Sequence, residues 1–163
     1  MLLRMQASSD PPLNLSEARP PSAHPAHLGW RLLAMVYDLL PLMALWFATS
    51  VLVYLVHARV PVRPYSVGAW VELVLLWTVT GMYLVVSWRR GGATIGMRPW
   101  RLKVLAADGR PAKLPALCLR YAVATLSVIG LGIGMLWSLF DDERRCWHDM
   151  AAGTRLVRMD TGV

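Results

Sequence analysis

Residues 30–56 have the sequence WRLLAMVYDLLPLMALWFATSVLVYLV, and they are almost entirely apolar. Between residues 32 and 56 it contains one charged side chain, that of Asp38, and residues 39–56 contain none. About 20 apolar residues, each rising ~1.5 Å, cross a hydrocarbon core of ~30 Å. The stretch therefore predicts a membrane-spanning helix with a carboxylate about two turns inside it.

The charge of Asp38 needs a partner or a purpose, because an ionisable group at that depth costs ~2.5–3.5 kcal/mol on insertion scales. Arg31 lies on the same helical face, but a separation of ~10 Å along the axis is too long for direct contact. We therefore expect Asp38 to meet a basic group from another segment, with Arg120 the best candidate. Arg31 is expected to meet an acid near the end of the chain, Asp149.

Composition and two further apolar stretches predict a small polytopic, all-α membrane protein. Of the 163 residues, 56% are hydrophobic and 17% are charged, whereas soluble domains have ~25% charged residues. We predict spans at about 30–56, 69–88 and 114–140, within a membrane domain of residues 28–158. Residues 1–27 are polar and proline-rich, which predicts a disordered tail, and residues 159–163 form a second tail.

The third apolar stretch has two possible paths. Gly130, Gly132 and Gly134 lie at its centre, and each glycine costs ~1 kcal/mol in a helix interior. Either one helix crosses the membrane with a flexible waist, or two half-helices form a re-entrant hairpin. We favour the hairpin because it keeps the arginines of the C-terminal tail on the inner side. The prediction is then a bundle of three to four membrane-embedded helices.

The basic residues predict the orientation of the chain. The formal net charge is +7, and eight of the 17 Lys and Arg residues lie between residues 89 and 120. By the positive-inside rule this loop is cytoplasmic, and two preceding spans place the N-terminus in the cytoplasm as well. The excess charge adjoins apolar spans, which favours contact with the anionic lipid of a bilayer over binding of nucleic acid.

Two short segments predict a small β element. RLKVLA, residues 101–106, precedes an Asp108-Gly109 turn, and GTRLVRM, residues 153–159, alternates apolar and polar side chains. Neither segment has another partner in the chain. We predict that 101–106 and 155–159 form a two-stranded sheet on the cytoplasmic face.

Three dispersed motifs carry a resemblance. WRLLAMVYDLL holds Arg31 and Asp38, RRCWHDMAAGT holds Asp149, and GGATIGMRPWRLKVLAADGRPA lies between them. Over about residues 28–158 this arrangement resembles the RDD family of small membrane proteins. That family is named for an arginine at the start of the first membrane helix, an aspartate inside it, and a second aspartate near the end.

The resemblance extends to further residues. Arg144 or Arg145, with His148, Gly153 and Thr154, fits the family ending. The middle loop resembles the family's Gly-x-Thr-x-Gly-Lys run, but Met97 stands where lysine is frequent. The resemblance implies little about function, because members are mostly uncharacterised and ion antiport has been suggested for a few.

The candidate site is a network of charged residues. A structural clamp that fixes helix register is the leading interpretation, and an ion- or proton-coupled transporter or antiporter acting as an oligomer is one alternative. A scaffold for other membrane proteins is another. Asp149 can meet Arg145 at i,i+4 on a helix, or the segment is a solvated charged face. The candidates are Arg31, Asp38, Arg120, Arg144, Arg145, His148 and Asp149.

Other classes of site lack support in the sequence. Cys146 and His148 beside Asp141, Asp142 and Glu143 do not form a ligand pattern of fixed geometry, so we predict no metal and no cofactor. Gly91, Gly92 and Gly96 do not have the spacing of a phosphate loop, and there is no nucleophile motif. We therefore expect a non-enzymatic protein that associates with itself or with another membrane protein.

Overall fold

The computed structural model describes residues 23–57, 60–130 and 132–159. Five α-helices and three short β-strands account for most of these residues. In chain order they are β1 (Ala23–Pro25), α1 (Leu28–Val56), α2 (Val67–Gly91), β2 (Leu102–Ala106), α3 (Leu114–Ile129), α4 (Ile133–Leu136), α5 (Trp147–Ala151) and β3 (Thr154–Met159). Single 3-10 turns lie at Arg98–Trp100 and Trp137–Leu139.

Helices α1 and α2 correspond to the first two predicted spans. Both are long and apolar enough to cross a membrane. Helix α3 and the segment Ile133–Leu139 form a bent pair, and if this pair is counted as one span the described residues contain three candidate spans. Local signals set the ends of α2: the Ser66 hydroxyl accepts a hydrogen bond from the Ala69 N–H, and Gly92 ends the helix with φ +68°. A left-handed residue at this position is the conformation that glycine adopts most easily.

Side-chain hydrogen bonds join the long helices. The Trp46 Nε1–H of α1 donates to Thr80 Oγ1 of α2 over 2.8 Å, and the Tyr121 hydroxyl of α3 donates to the Trp77 carbonyl of α2 over 2.7 Å. Gly81 allows close packing, because a Cβ there would lie 2.6 Å from the Tyr121 ring. Small residues and interhelical hydrogen bonds are the contacts that hold helices together in lipid.

The third apolar stretch turns back on itself. The axes of α3 and the segment Ile133–Leu139 differ by 110°, and Gly132 adopts φ +77° at the bend. Strand β2 precedes α3 and strand β3 follows α4, yet the two strands are paired. Both ends of the third stretch therefore lie on the same side of the helices, as in a hairpin.

The sheet confirms one prediction and corrects another. Strands β2 and β3 are antiparallel, with Val104 opposite Leu156 and Leu105 opposite Arg155, as the predicted pairing of 101–106 with 155–159 requires. The sheet has three strands rather than two, in the order β1-β3-β2. The prediction of a tail through residue 27 is wrong at its end, since Ala23–Pro25 pairs with β3.

Strand β1 is held by backbone contacts and carries no alternating pattern, so its sequence does not reveal it. Pro25 is acceptable in an edge strand because the missing N–H does not interrupt a central ladder. The Ala26 N–H donates to the Leu156 carbonyl over 3.0 Å. Residues 1–22 of the predicted N-terminal tail and 160–163 of the predicted C-terminal tail lie outside the described residues.

The packed core lies between the sheet and the adjoining ends of the helices. Leu102 and Val104 of β2 and Leu117 of α3 are almost fully buried there. The flanks of the long helices are instead exposed and apolar, as at Leu40 and Phe47. Apolar flanks above a small packed core fit a protein whose helices face lipid.

A pair of cysteines can test the strand register. Directly opposite positions in an antiparallel pair have Cβ atoms ~4.5–5.5 Å apart, close to disulfide geometry. We expect Leu105→Cys with Arg155→Cys, in a Cys118→Ser background, to form an intramolecular disulfide on mild oxidation, detected by mass spectrometry of linked peptides. The control pair at 105 and 156 points to opposite faces and should not crosslink; the reverse result would contradict the register.

Candidate functional site

The buried carboxylate of Asp149 pairs with two guanidinium groups. Asp149, on the short helix α5, is 0% exposed, and Arg31 and Arg120 are each 4% exposed. Its Oδ2 accepts a hydrogen bond from Arg31 Nη1 over 2.6 Å, and its Oδ1 pairs with Arg120 Nη1. We call these three residues the Arg–Asp triad. It joins α1, α3 and α5, whose sequence positions are far apart.

The local fold of α5 aims Asp149 at its partners. Cys146 precedes the helix, and its backbone N–H donates to Asp149 Oδ2 over 3.0 Å. This capping-box bond returns the aspartate side chain to the start of its own helix. This bond holds the carboxylate in the orientation in which it meets both arginines.

Each arginine of the triad also binds backbone or hydroxyl groups. Arg31 Nη2 donates to the Arg144 carbonyl over 3.0 Å, and its Nε donates to the Ala26 carbonyl over 3.3 Å. Arg120 Nη1 donates to Thr154 Oγ1 of β3 over 2.7 Å, and its guanidinium lies 5.2 Å from the Trp88 ring centre. The triad therefore also connects to β3, α2 and the segment before α1.

The electrostatics of the triad favour an ionised carboxylate beside a neutral imidazole. Burial raises the pKa of Asp149, but Arg120 and Arg31 lower it by more, and the net result lies well below the usual range. Burial lowers the pKa of His148 to about 3, and the charge of Arg120 acts in the same direction. At neutral pH the triad has two positive charges and one negative charge.

The second polar cluster surrounds Asp38, and its donors are neutral. The Tyr83 hydroxyl donates to Asp38 Oδ1 over 2.7 Å, the Gly96 backbone N–H donates to the same oxygen over 2.9 Å, and the Thr94 hydroxyl donates to Oδ2. We call these four residues the Asp38 pocket. Among the described side chains, no Lys or Arg nitrogen forms an ion pair with Asp38.

The Asp38 pocket explains the glycine–threonine loop of the sequence. Thr94 and Gly96 belong to the Gly-x-Thr-x-Gly run, and both donate to the carboxylate. Gly96 sits against α1, because a Cβ there would lie 2.3 Å from the Ala34 carbonyl oxygen and 2.7 Å from the Asp38 backbone nitrogen. Met97, at the position where lysine is frequent in RDD sequences, is buried in the core.

The structure confirms one predicted pairing and corrects two. Arg31 meets Asp149 as expected. The pairing of Asp38 with Arg120 is wrong, because Arg120 binds Asp149 while the neutral donors occupy Asp38. The pairing of Asp149 with Arg145 is also wrong: the i,i+4 partner of Arg145 is Asp141, with 3.1 Å between Nε and Oδ2.

The remaining candidates have supporting positions. The Arg144 carbonyl accepts from Arg31, and its guanidinium contacts His27. His148 lies beside the triad, with 3.9 Å between its Nε2 and Asp149 Oδ1. Tyr83 and Thr94 were missed by the sequence analysis, although the Gly-x-Thr-x-Gly spacing marked the loop that holds Thr94.

A metal would be poorly accommodated near the triad. One ligand atom each from Cys146, His148 and Asp149 lies within 4.8 Å of the others. However, the Asp149 carboxylate is already shared by two guanidiniums, which would repel a cation. Burial also raises the pKa of the Cys146 thiol, which disfavours the thiolate that metals bind.

A cavity of about 610 Å³ lies between α1, α2 and α3. One group of its lining residues is polar or charged and includes Arg31, Asp38, Arg120 and His148. Most of the remaining lining is apolar, as in ligand sites with a few oriented polar groups.

A family model described as RDD family matches residues 25–153, which include both polar clusters. This chain belongs to the RDD family. The arginine and the two aspartates of the RDD motif thus form two separate clusters, with Arg31 and Asp149 in the triad and Asp38 in its own pocket. No curated protein and no solved structure matches the chain.

Gly96→Ala tests the close approach at the Asp38 pocket. The added methyl group overlaps the backbone of α1, and we expect a loss of about 1–3 kcal/mol of stability, typical of overpacking. The matched control is Gly91→Ala, because a Cβ at residue 91 meets nothing within 4 Å. Thermal unfolding in detergent should show a lower midpoint for the first variant only. Equal midpoints would contradict the geometry.

The lowered pKa of His148 predicts that the stability of the folded protein depends on pH. Because its pKa falls from 6.5 to about 3 on folding, the unfolded chain binds the proton first, and stability should fall as pH decreases below ~6.5 towards 3. Unfolding midpoints measured across this range should decline less steeply in His148→Gln than in the wild type. Trp147→Phe, which changes a neighbour of His148 that does not titrate, is the control and should keep the wild-type slope. A wild-type slope in His148→Gln would refute the prediction.

Proposed function

We propose that this RDD protein is a non-enzymatic, multi-pass protein of the bacterial plasma membrane that acts as a structural scaffold. The Arg–Asp triad would hold the membrane helices on a small platform made of the sheet and α5, which other membrane proteins or a second copy of the chain then contact. The observation that carries this proposal is the complete burial of Asp149 between Arg31 and Arg120. A carboxylate whose two oxygens are both bound to guanidinium groups serves packing better than ion exchange.

The orientation we propose is cytoplasmic for the N-terminus, the sheet and α5. The sheet contains a strand before α1, a strand between α2 and α3, and a strand after α4, so these three points lie on one side. That arrangement agrees with two crossings followed by a re-entrant hairpin. Exposed basic residues lie on this side, including Arg89, Arg90 and Lys103, and the positive-inside rule then favours the cytoplasm.

Labelling of introduced cysteines tests the orientation, because the remaining native Cys146 is buried. In a Cys118→Ser background, a membrane-impermeant maleimide added to intact spheroplasts should label position 60, between α1 and α2. It should not label positions 108 or 158, which would be cytoplasmic. Permeabilised cells provide the control, in which all three should react. Labelling of position 158 from outside would show a third crossing and overturn the hairpin.

The scaffold proposal predicts an order among triad variants. Asp149→Asn leaves two buried guanidiniums without a counter-charge, and one broken buried pair already costs ~3–5 kcal/mol. Arg31→Gln leaves the carboxylate paired with Arg120, so its loss should be smaller. The double variant should accumulate in the membrane no less than Asp149→Asn. Quantitative immunoblots of membrane fractions give the comparison.

Asp141→Asn serves as the control for this series. Asp141 pairs with the partly exposed Arg145, and surface pairs of this kind contribute little to stability because solvent screens them. Its accumulation should match the wild type. Equal accumulation of Asp149→Asn and Asp141→Asn would contradict the scaffold proposal.

A proton- or cation-coupled antiporter is the second candidate. The observation in its favour is Asp38, a carboxylate in a candidate span that has only neutral donors among the described side chains. Two long helices and a bent one hardly enclose a pathway, so transport would require an oligomer. Ion flux in proteoliposomes that disappears in Asp38→Asn, with normal accumulation of that variant, would favour the antiporter over the scaffold.

A further inference from the structure

The cavity between α1, α2 and α3 is lined by a few polar residues and a larger number of apolar ones. Its volume of about 610 Å³ lies within the ~300–1,000 Å³ of small-molecule sites. The polar residues include Arg120, Ser127 and His148. The other walls are mainly apolar and include Leu42, Trp46, Leu73, Leu76, Ala124 and Val128.

Buried polar atoms without partners concentrate around this cavity. Within the described residues, five buried side-chain atoms form no hydrogen bond: Trp88 Nε1, Trp100 Nε1, Arg120 Nε, Ser127 Oγ and His148 Nδ1. All of these residues except Trp100 line the cavity. Buried polar groups are nearly always paired, so four unpaired atoms at one cavity indicate a missing partner. An indole N–H and a guanidinium N–H can only donate, so that partner is an acceptor.

The local charge points to an anionic acceptor. Arg31 and Arg120 share a single carboxylate, which leaves one positive charge without a counter-charge in the triad. Asp38 also lines the cavity, but both of its oxygens are occupied by the donors of its own pocket. An anion at Arg120 Nε would complete both the hydrogen bonding and the charge balance.

We propose that this cavity binds a fatty acid, with its carboxylate on the free donors of Trp88 and Arg120, whose guanidinium lies 5.2 Å from the Trp88 ring centre, and its chain along the apolar walls. The apolar walls favour an amphiphile over a small inorganic anion, which would leave them without contacts. A cavity of this volume accommodates one hydrocarbon chain with a compact head. The site therefore gives the triad a ligand in addition to its structural part, independently of whether the protein acts as a scaffold.

Tryptophan quenching by a dibrominated fatty acid tests the proposal on the full chain in detergent. Trp46, Trp77 and Trp88 line the cavity, so quenching should be saturable and should be reversed by the unbrominated acid. The brominated alcohol of the same chain length should bind at least tenfold more weakly, because it lacks the anionic head. Equal binding of acid and alcohol would overturn the proposal. Saturable quenching by a brominated two-chain phospholipid at lower concentration would do so as well.

Two substitutions on α3 form a matched pair for this assay. Ala124→Leu places a larger side chain in the cavity, whereas Ala122→Leu adds the same atoms on the exposed face. The first should weaken fatty-acid binding at least tenfold, and the second should not change it. Equal affinities of the two variants would refute the assigned cavity.

Trp88→Phe keeps the test decisive if Ala124→Leu does not fold. The change keeps an aromatic ring and removes an unpaired buried indole N–H, which is a donor to the carboxylate in the proposed site. It should weaken fatty-acid binding several-fold. A Trp88→Phe variant that binds the acid as tightly as the wild type would contradict the proposed position of the carboxylate.

Discussion

The buried carboxylate of Asp149 constrains the rest of the structure. A charge without exposure to solvent must be compensated by charges and donors that reach it from elsewhere in the chain. Arg31 and Arg120 do so from α1 and α3, and the Cys146 N–H does so from the start of α5. The chain must therefore bring its beginning, its third apolar stretch and its end together. The pairing of β1 and β2 with β3 follows the same convergence.

The Asp38 pocket solves a similar problem with different chemistry. Asp38 lies further along α1, where the nearest basic side chain of the motif is already bound to Asp149. Hydroxyl and backbone N–H donors satisfy both carboxylate oxygens there. Because the loop after α2 supplies two of these donors, the pocket ties α1 to the end of α2. The two aspartates of the RDD motif thus connect different elements. Asp38 connects α1 to α2 and the loop after it, and Asp149 connects α5 to α1 and α3.

The sequence predicted the parts of the fold that depend on local pattern. The uncharged run of residues 39–56 identified α1, and the alternation in residues 153–159 identified β3 and its partner. The Arg31–Asp149 pair was predictable because a buried charge requires a counter-charge. Strand β1 has no such pattern, since backbone bonds to an existing strand hold it in place.

The partners of Asp38 and Arg145 were mispredicted for a common reason. Charge complementarity favoured Arg120 for Asp38 and Asp149 for Arg145. Charge complementarity alone does not predict that Asp149 pairs with two guanidinium groups, or that neutral donors satisfy the Asp38 carboxylate. Which acid receives which base depends on the bend at Gly132 and the return of the chain, and these are tertiary features.

A double-mutant cycle between Arg31 and Asp149 measures how strongly the buried carboxylate joins the start of the chain to its end. Unfolding free energies in the bilayer would be measured for the wild type, Arg31→Met, Asp149→Asn and the double variant. We expect a favourable coupling of about 1–3 kcal/mol, because the residues share one buried bond. The same cycle between Arg31 and Asp38, which lack a direct contact, should give a much smaller coupling. A coupling near zero for Arg31 and Asp149 would show that this pair does not hold the fold together.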